Sequence, residues 1–167
     1  MKRLAITLWV LTLSLSGFSQ YHNPGQEPFG TRWREHKNDS LHIIFPKGSE
    51  MVTTDYLQFH YPAFQRAMDD YLLKPLQIPD IIHPNSILSN GFVVWAPKRV
   101  ELVTTPDLDN SSEPWHKTLA IHETRHVAQI GSLNKGVFRV GSWFLGEQSV
   151  GMATAMLPMW FFEGDAV

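Results

Sequence analysis

The chain has 167 residues, 43% of them aliphatic or aromatic and 18% charged, which supports one ordinary domain and excludes a disordered tail or a collagen-like repeat. It contains no cysteine, so disulfides, thiolate-ligated zinc, iron–sulfur clusters, a cysteine nucleophile and a lipoprotein anchor are all excluded. A net charge of −2 offers no basic footprint for nucleic acid.

Met1–Ser19 carries a basic start (Lys2, Arg3), an apolar run from Leu4 to Leu15 and small residues at Gly17 and Ser19. That pattern reads as a secretory signal peptide cut between Ser19 and Gln20. The alternatives are a membrane anchor and a buried helix, but the apolar run is short of the roughly 20 residues that span a bilayer. Residues 20–167 are then expected to be a single exported domain, periplasmic, in the cell envelope or extracellular.

Turn signals at Asn23-Pro24-Gly25 and Pro28-Phe29-Gly30 make Gln20–Arg34 an N-terminal arm. Leu41–Phe45 reads as a strand stopped by Pro46-Lys47-Gly48. From Val52 to Leu73, Leu57, Phe64, Ala67, Met68, Tyr71 and Leu72 recur at helical spacing, with Pro62 as a kink or a true start and Lys74-Pro75 as the stop. Ile78–His83, Phe92–Trp95 and Arg99–Val103 read as strands, and Asn90-Gly91 as a turn before the second of them. Thr104–Ser112 is a polar loop. Beyond Glu113 the pattern is mostly helical, broken by glycines 131, 136, 141, 146 and 151. The expected fold class is α+β: a small sheet packed on one helix, followed by further helices.

Within the first of those later helices stands His122-Glu123-Thr124-Arg125-His126, an H-E-x-x-H pattern. Residues four apart on a helix are about 40° apart in azimuth and one turn apart along the axis, so both imidazoles can reach one metal ion. Glu123 lies about 80° from their mid-line, beside the ion's open position. Two neutral nitrogen ligands suit zinc. On the opposite face, Ala120, Ile121, Thr124, Val127 and Ala128 are small or apolar and fit against a core, which weighs against a coincidental surface pattern.

Zinc hydrolases hold the ion with three protein groups and keep a fourth position for water. Downstream, Pro158 starts a helical segment in which Glu163 is the first charged group after a long apolar run from Val150. A buried carboxylate there needs a partner or a metal. The alternative is a glutamate favoured by the positive end of a helix.

H-E-x-x-H followed by Trp160-Phe161-Phe162-Glu163-Gly164-Asp165-Ala166 resembles the gluzincins, in particular the peptidase-MA-like group. Asn23-Pro24-Gly25-Gln26, the run from Ser89 to Arg99, Gly146-Glu147-Gln148 and Trp160–Val167 resemble the N-terminal domain of long secreted Bacteroidota proteins that continue into a TolB-like β-propeller. The resemblance spans nearly the whole chain after the signal segment. It implies a zincin-like fold, zinc held by His122, His126 and Glu163, Glu123 as catalytic base, and hydrolysis of a peptide or protein substrate. Two departures stand out. Arg125 puts a charge inside the motif, about 80° from the zinc mid-line, within reach of Glu147 or Asp165. The sequence also ends four residues after Glu163, where the family continues into a helical subdomain, so an N-terminal portion of the domain is expected.

Arg99–Val103 is read as the edge on which an extended substrate could pair. His22, His36, His42, His60, His83 and His116 have no ligand spacing and read as surface or satisfied histidines. Phe59, Phe64, Tyr71 and Trp143 read as core. A reading from another class is a non-catalytic, zinc-stabilised docking module attached to the propeller.

Overall fold

The computed structural model describes residues 27–39, 41–108 and 112–166. The signal segment, its cleavage point, His22 and the Asn23-Pro24-Gly25 turn lie outside them. The described chain is mixed α and β, with five strands and five helices. In order these are β1 (Trp33–Lys37), β2 (His42–Pro46), α1 (Glu50–Asp70), β3 (Pro79–His83), β4 (Asn90–Trp95), β5 (Lys98–Val103), α2 (Trp115–Ser132), α3 (Gly136–Leu145), α4 (Gln148–Thr154) and α5 (Met159–Asp165).

The strands form one sheet in the order β1-β2-β3-β5-β4. The central pairs, β2 with β3 and β3 with β5, are parallel, and both outer pairs are antiparallel. Ile43, Ile82, Val100, Leu102 and Trp95 point from the sheet into the main core. There they meet Tyr56, Phe64, Ala67 and Met68 of α1 and Leu119, Ala120, Val127 and Ala128 of α2. The buried stripe of α1 also contains Thr53 and His60, so the apolar period alone understates its buried face.

The edge next to the motif helix is β4, and β5 lies inside the sheet between β3 and β4. This corrects the expectation that Arg99–Val103 is the free edge. The hairpin joining β4 to β5 closes at Ala96-Pro97, with Trp95 opposite Lys98. Asn90-Gly91 is not a turn but the start of β4, opposite Val103 and Leu102. β1 was not expected at all. Its five residues are all exposed, and Trp-Arg-Glu-His-Lys offers no alternation of apolar and polar groups to mark a strand.

Helix α1 runs through Pro62 without interruption and ends at Asp70. Its end is a Schellman motif: Leu72 N–H donates to Asp69 O and Leu73 N–H to Met68 O. Leu72 takes the left-handed position with φ +52° and is 92% exposed, so it is not part of the buried face expected for it. At the end of α3, Gly146 has φ +59°, a conformation glycine adopts without a Cβ clash. Trp143, expected in the core, is exposed on α3, as is Ile121 on α2. Together with Phe144, Met156, Met159 and Trp160 they leave much of the C-terminal helical region apolar and open. Among the described residues no helix is long and apolar enough to cross a membrane.

Of the other histidines, His60, His83 and His116 have partners, as expected, and the first two are deeply buried. His60 bonds Tyr56, with Asp80 close by, His83 bonds Glu101, and His116 pairs with Asp55. Burial opposes ionisation of Glu101, but hydrogen bonds from His83 and Arg99 outweigh it and hold this carboxyl below the usual range.

Candidate metal centre

Helix α2 is anchored by its back face, where Ala120, Thr124, Val127 and Ala128 are all buried. That fixes which way the opposite face looks. His122 and His126, one turn apart, bring their Nε2 atoms to 3.0 Å with the rings edge to face. Helix α5 crosses nearby and supplies Glu163, whose Oε2 lies 3.4 Å from His122 Nε2 and whose Oε1 lies 3.9 Å from His126 Nε2. The donor atoms of the three residues all fall within 4.8 Å of one another.

A tetrahedral zinc with bonds of about 2.0–2.1 Å places its ligand atoms roughly 3.3–3.4 Å apart. The observed separations, taken to a different Glu163 oxygen for each histidine, straddle that value, and two imidazoles with one carboxylate are a suitable donor set for zinc. Glu163 is half-exposed, with 51% of its side chain accessible. The expectation of a buried carboxylate in need of a partner therefore does not hold, although the group does face the two histidines.

The tautomer of His126 follows from its neighbours. Gln129 Nε2 donates to Phe162 O and to Asp165 Oδ2, both acceptors, so Gln129 Oε1 is the atom facing His126 Nδ1 at 2.8 Å. Nδ1 must carry the proton, and Nε2 keeps its lone pair for the shared site. Burial, followed by repulsion between the two imidazoles if both were protonated, holds His122 below its ordinary pKa, which favours the neutral form of His122 that binds metals.

Glu123 points away from solvent, against the edge strand. It is 2% exposed, and among the described residues its Oε2 has no hydrogen-bond partner. Burial, followed by the negative charges of Glu163 and Asp80, pushes its carboxyl up to about 8. The strand can come this close because residue 91 is glycine: a Cβ there would stand 2.5 Å from Glu123 Oε1. On the far side of Glu123, a space about the size of one water separates it from the buried group Tyr56, His60 and Asp80. Tyr56 OH donates to Asp80 Oδ2, and burial raises the pKa of both groups.

Two clefts meet at the histidines. The larger, about 560 Å³, lies between β4 and α4–α5 and is lined by Val93, Ile130, Leu157, Met159 and Phe162 around His126 and Glu163. The smaller, about 180 Å³, continues past His122 between β4 and the start of α2, under Trp115 and Leu119. Arg125 pairs with Asp165 and with Asp70. Of the two partners expected for it, Asp165 is the actual one, while Glu147 pairs with Lys98.

The structure thus brings together all four expected site residues, His122, Glu123, His126 and Glu163. Sequence reasoning missed the contributions of Gly91 and Gln129. Gln129 had a legible signal, since it stands three residues after His126 on the same helix face. Gly91 had none, because its role comes from a contact between a strand and a helix distant in sequence. No family model, curated protein or solved structure matches this chain.

Proposed function

We propose that this protein is a zincin-like zinc peptidase, with His122, His126 and Glu163 holding the ion and Glu123 acting as general base. The observation that carries the reading is the convergence of three donor groups whose ligand atoms lie within 4.8 Å of one another, with the buried carboxylate of Glu123, whose Oε2 has no hydrogen-bond partner among the described residues, next to His122 on the same helix. Zinc, when bound, supplies a Lewis acid that lowers the pKa of water to about 7 and polarises a carbonyl oxygen. Glu123 takes the proton of the attacking water and returns it to the leaving amine. The high proton affinity of Glu123 favours proton uptake, and the positive charge of a nearby ion opposes it, so the two draw the group toward neutral pH. Strand β4, as the sheet edge beside the site, gives an extended peptide a strand to lie alongside. The protein is proposed to act after export and removal of Met1–Ser19.

The test is hydrolysis of a broad peptide library by zinc-loaded protein and by Glu123→Gln. The amide keeps the side-chain volume and the ligand set but cannot accept a proton at neutral pH. Activity is expected to fall about 10²–10⁴-fold with zinc retained.

A second reading is favoured by a separate observation. The exposed Trp143, Phe144, Met156, Met159 and Trp160 leave a large apolar area on α3–α5, as a docking module would. In that case the zinc is structural. Wild type and Glu123→Gln would then both hold zinc and both be inactive.

A further inference from the structure

We infer that Asp165 is the positioning residue for Glu163, presetting this ligand over the two histidines before any ion arrives; the inference rests on the zinc reading above. Helix α5 has seven residues and none of them is buried. A helix this short is marginal alone. Phe162 packs against the main core and Ala166, just past the helix, is buried, which seats α5, and polar contacts add the direction in which the exposed Glu163 faces.

Those contacts gather on one carboxylate two residues further on. Asp165 Oδ2 accepts from Arg125 Nε at 2.8 Å, and Oδ1 from Arg125 Nη2 at 2.9 Å. Tyr71 OH donates to Oδ2 at 2.6 Å, and Gln129 Nε2 to the same oxygen at 3.0 Å. The bidentate guanidinium fixes direction as well as distance. Arg125 is itself held: it donates to Asp70 Oδ2 at 2.6 Å and stacks over the Tyr71 ring at 5.0 Å. Three of the four bonds come from α2, the helix that carries both histidines, and the fourth comes from the end of α1.

Residues two apart on a helix point about 200° from each other. Gripping Asp165 on one side of α5 therefore sets the azimuth of Glu163 on the other. Gln129 adds a second tie through Phe162 O while holding His126 Nδ1, so the same hub registers both ligand-bearing helices. Through this grip the arginine in the middle of the metal motif aims the third ligand.

The inference is tested by the zinc affinity of the full chain, measured by competition with a chelator, in a double-mutant cycle. Asp165→Asn should weaken zinc about 10–100-fold while circular dichroism of the metal-free protein stays unchanged. In a Glu163→Gln background the same change should cost little further, because its effect runs through Glu163. Cobalt-loaded Asp165→Asn should show the altered visible spectrum of cobalt-loaded Glu163→Gln. If Asp165→Asn does not fold, Tyr71→Phe, which removes one of the four bonds, is read in the same cycle and should weaken zinc several-fold. Equal zinc affinity in wild type and variant, or losses that add fully across the cycle, would overturn the inference and leave the zinc reading standing. Wild type that binds no zinc would overturn both.

Discussion

Gly91 and Glu123 share one small space: the backbone of the edge strand at residue 91 sits where any side chain would strike the Glu123 carboxylate, with a Cβ only 2.5 Å from Oε1. The neighbour is the functional end of a buried group, and its own helix is fixed by packing. Gly91→Ala should therefore push the carboxylate out of place and lower peptide hydrolysis about 10–100-fold, with zinc content unchanged. Steady-state kinetics alongside metal analysis checks this. Unimpaired kcat in Gly91→Ala would show that the carboxylate is not held by this contact.

The ionisation of Glu123 makes the metal-free protein sensitive to pH. Its folded pKa of about 8 lies above that of an exposed glutamate. Between about 4.5 and 8 the folded protein keeps a proton that the unfolded chain has released. Stability accordingly declines as pH rises through that window. Glu123→Gln removes this loss and should be more stable than wild type at pH 9 by roughly 1–3 kcal/mol, with the gap closing toward pH 5. Urea unfolding of both proteins in the presence of a chelator measures it.

Leu72 occupies a backbone conformation that costs a non-glycine residue about 1–2 kcal/mol, and its exposed side chain returns almost no packing. Leu72→Gly should stabilise the protein by roughly 0.5–1 kcal/mol, the strain relieved less the extra chain entropy of glycine. The midpoint of thermal unfolding should rise, with zinc affinity unchanged.

Asp165 has a folded pKa of about 2, held down by the Arg125 guanidinium and then by Tyr71 and Gln129. A depressed carboxylate contributes stability above the unfolded value of about 3.9 and loses it as pH falls toward 2. The tie between α2 and α5 should therefore survive acidification to about pH 3. Carboxyl carbon shifts of Asp165 should titrate near 2 in the folded protein, and a midpoint near 4 would mean that the pair with Arg125 is not formed in solution.

Much of the fold was readable where local pattern and tertiary environment agree. Strands β2 to β5 and helices α1 and α2 fall close to where the apolar period puts them, but Pro62 and Gly131, read as breaks, lie inside continuous helices, as do Gly141 and Gly151 further on. The failures have physical causes. β1 is a polar edge strand whose only reason to extend is its pairing with β2. Asn90-Gly91 has the composition of a turn, yet the glycine serves a close approach within a strand. Trp143 and Ile121 are apolar but exposed, because burial depends on what a helix packs against and not on residue type. At the site, the His122/His126 pair was legible because one helical turn is local geometry. Glu163 was legible as the first charge after an apolar run and through the resemblance carried by Trp160–Ala166, while the burial expected for it does not hold. The pairing of Arg125 with Asp165 was one of two alternatives expected, but the further bonds from Tyr71 and Gln129 to Asp165 join residues up to 94 positions apart, beyond the reach of any periodicity.

The zinc assignment, on which the rest depends, is decided by metal analysis of the purified full-length protein and of His122→Ala after dialysis against metal-free buffer. Wild type should retain close to one zinc per chain, and His122→Ala, which removes one of three ligands while leaving the packed face of α2 intact, should lose most of it. Full zinc occupancy in His122→Ala, or none in wild type, would refute the assignment.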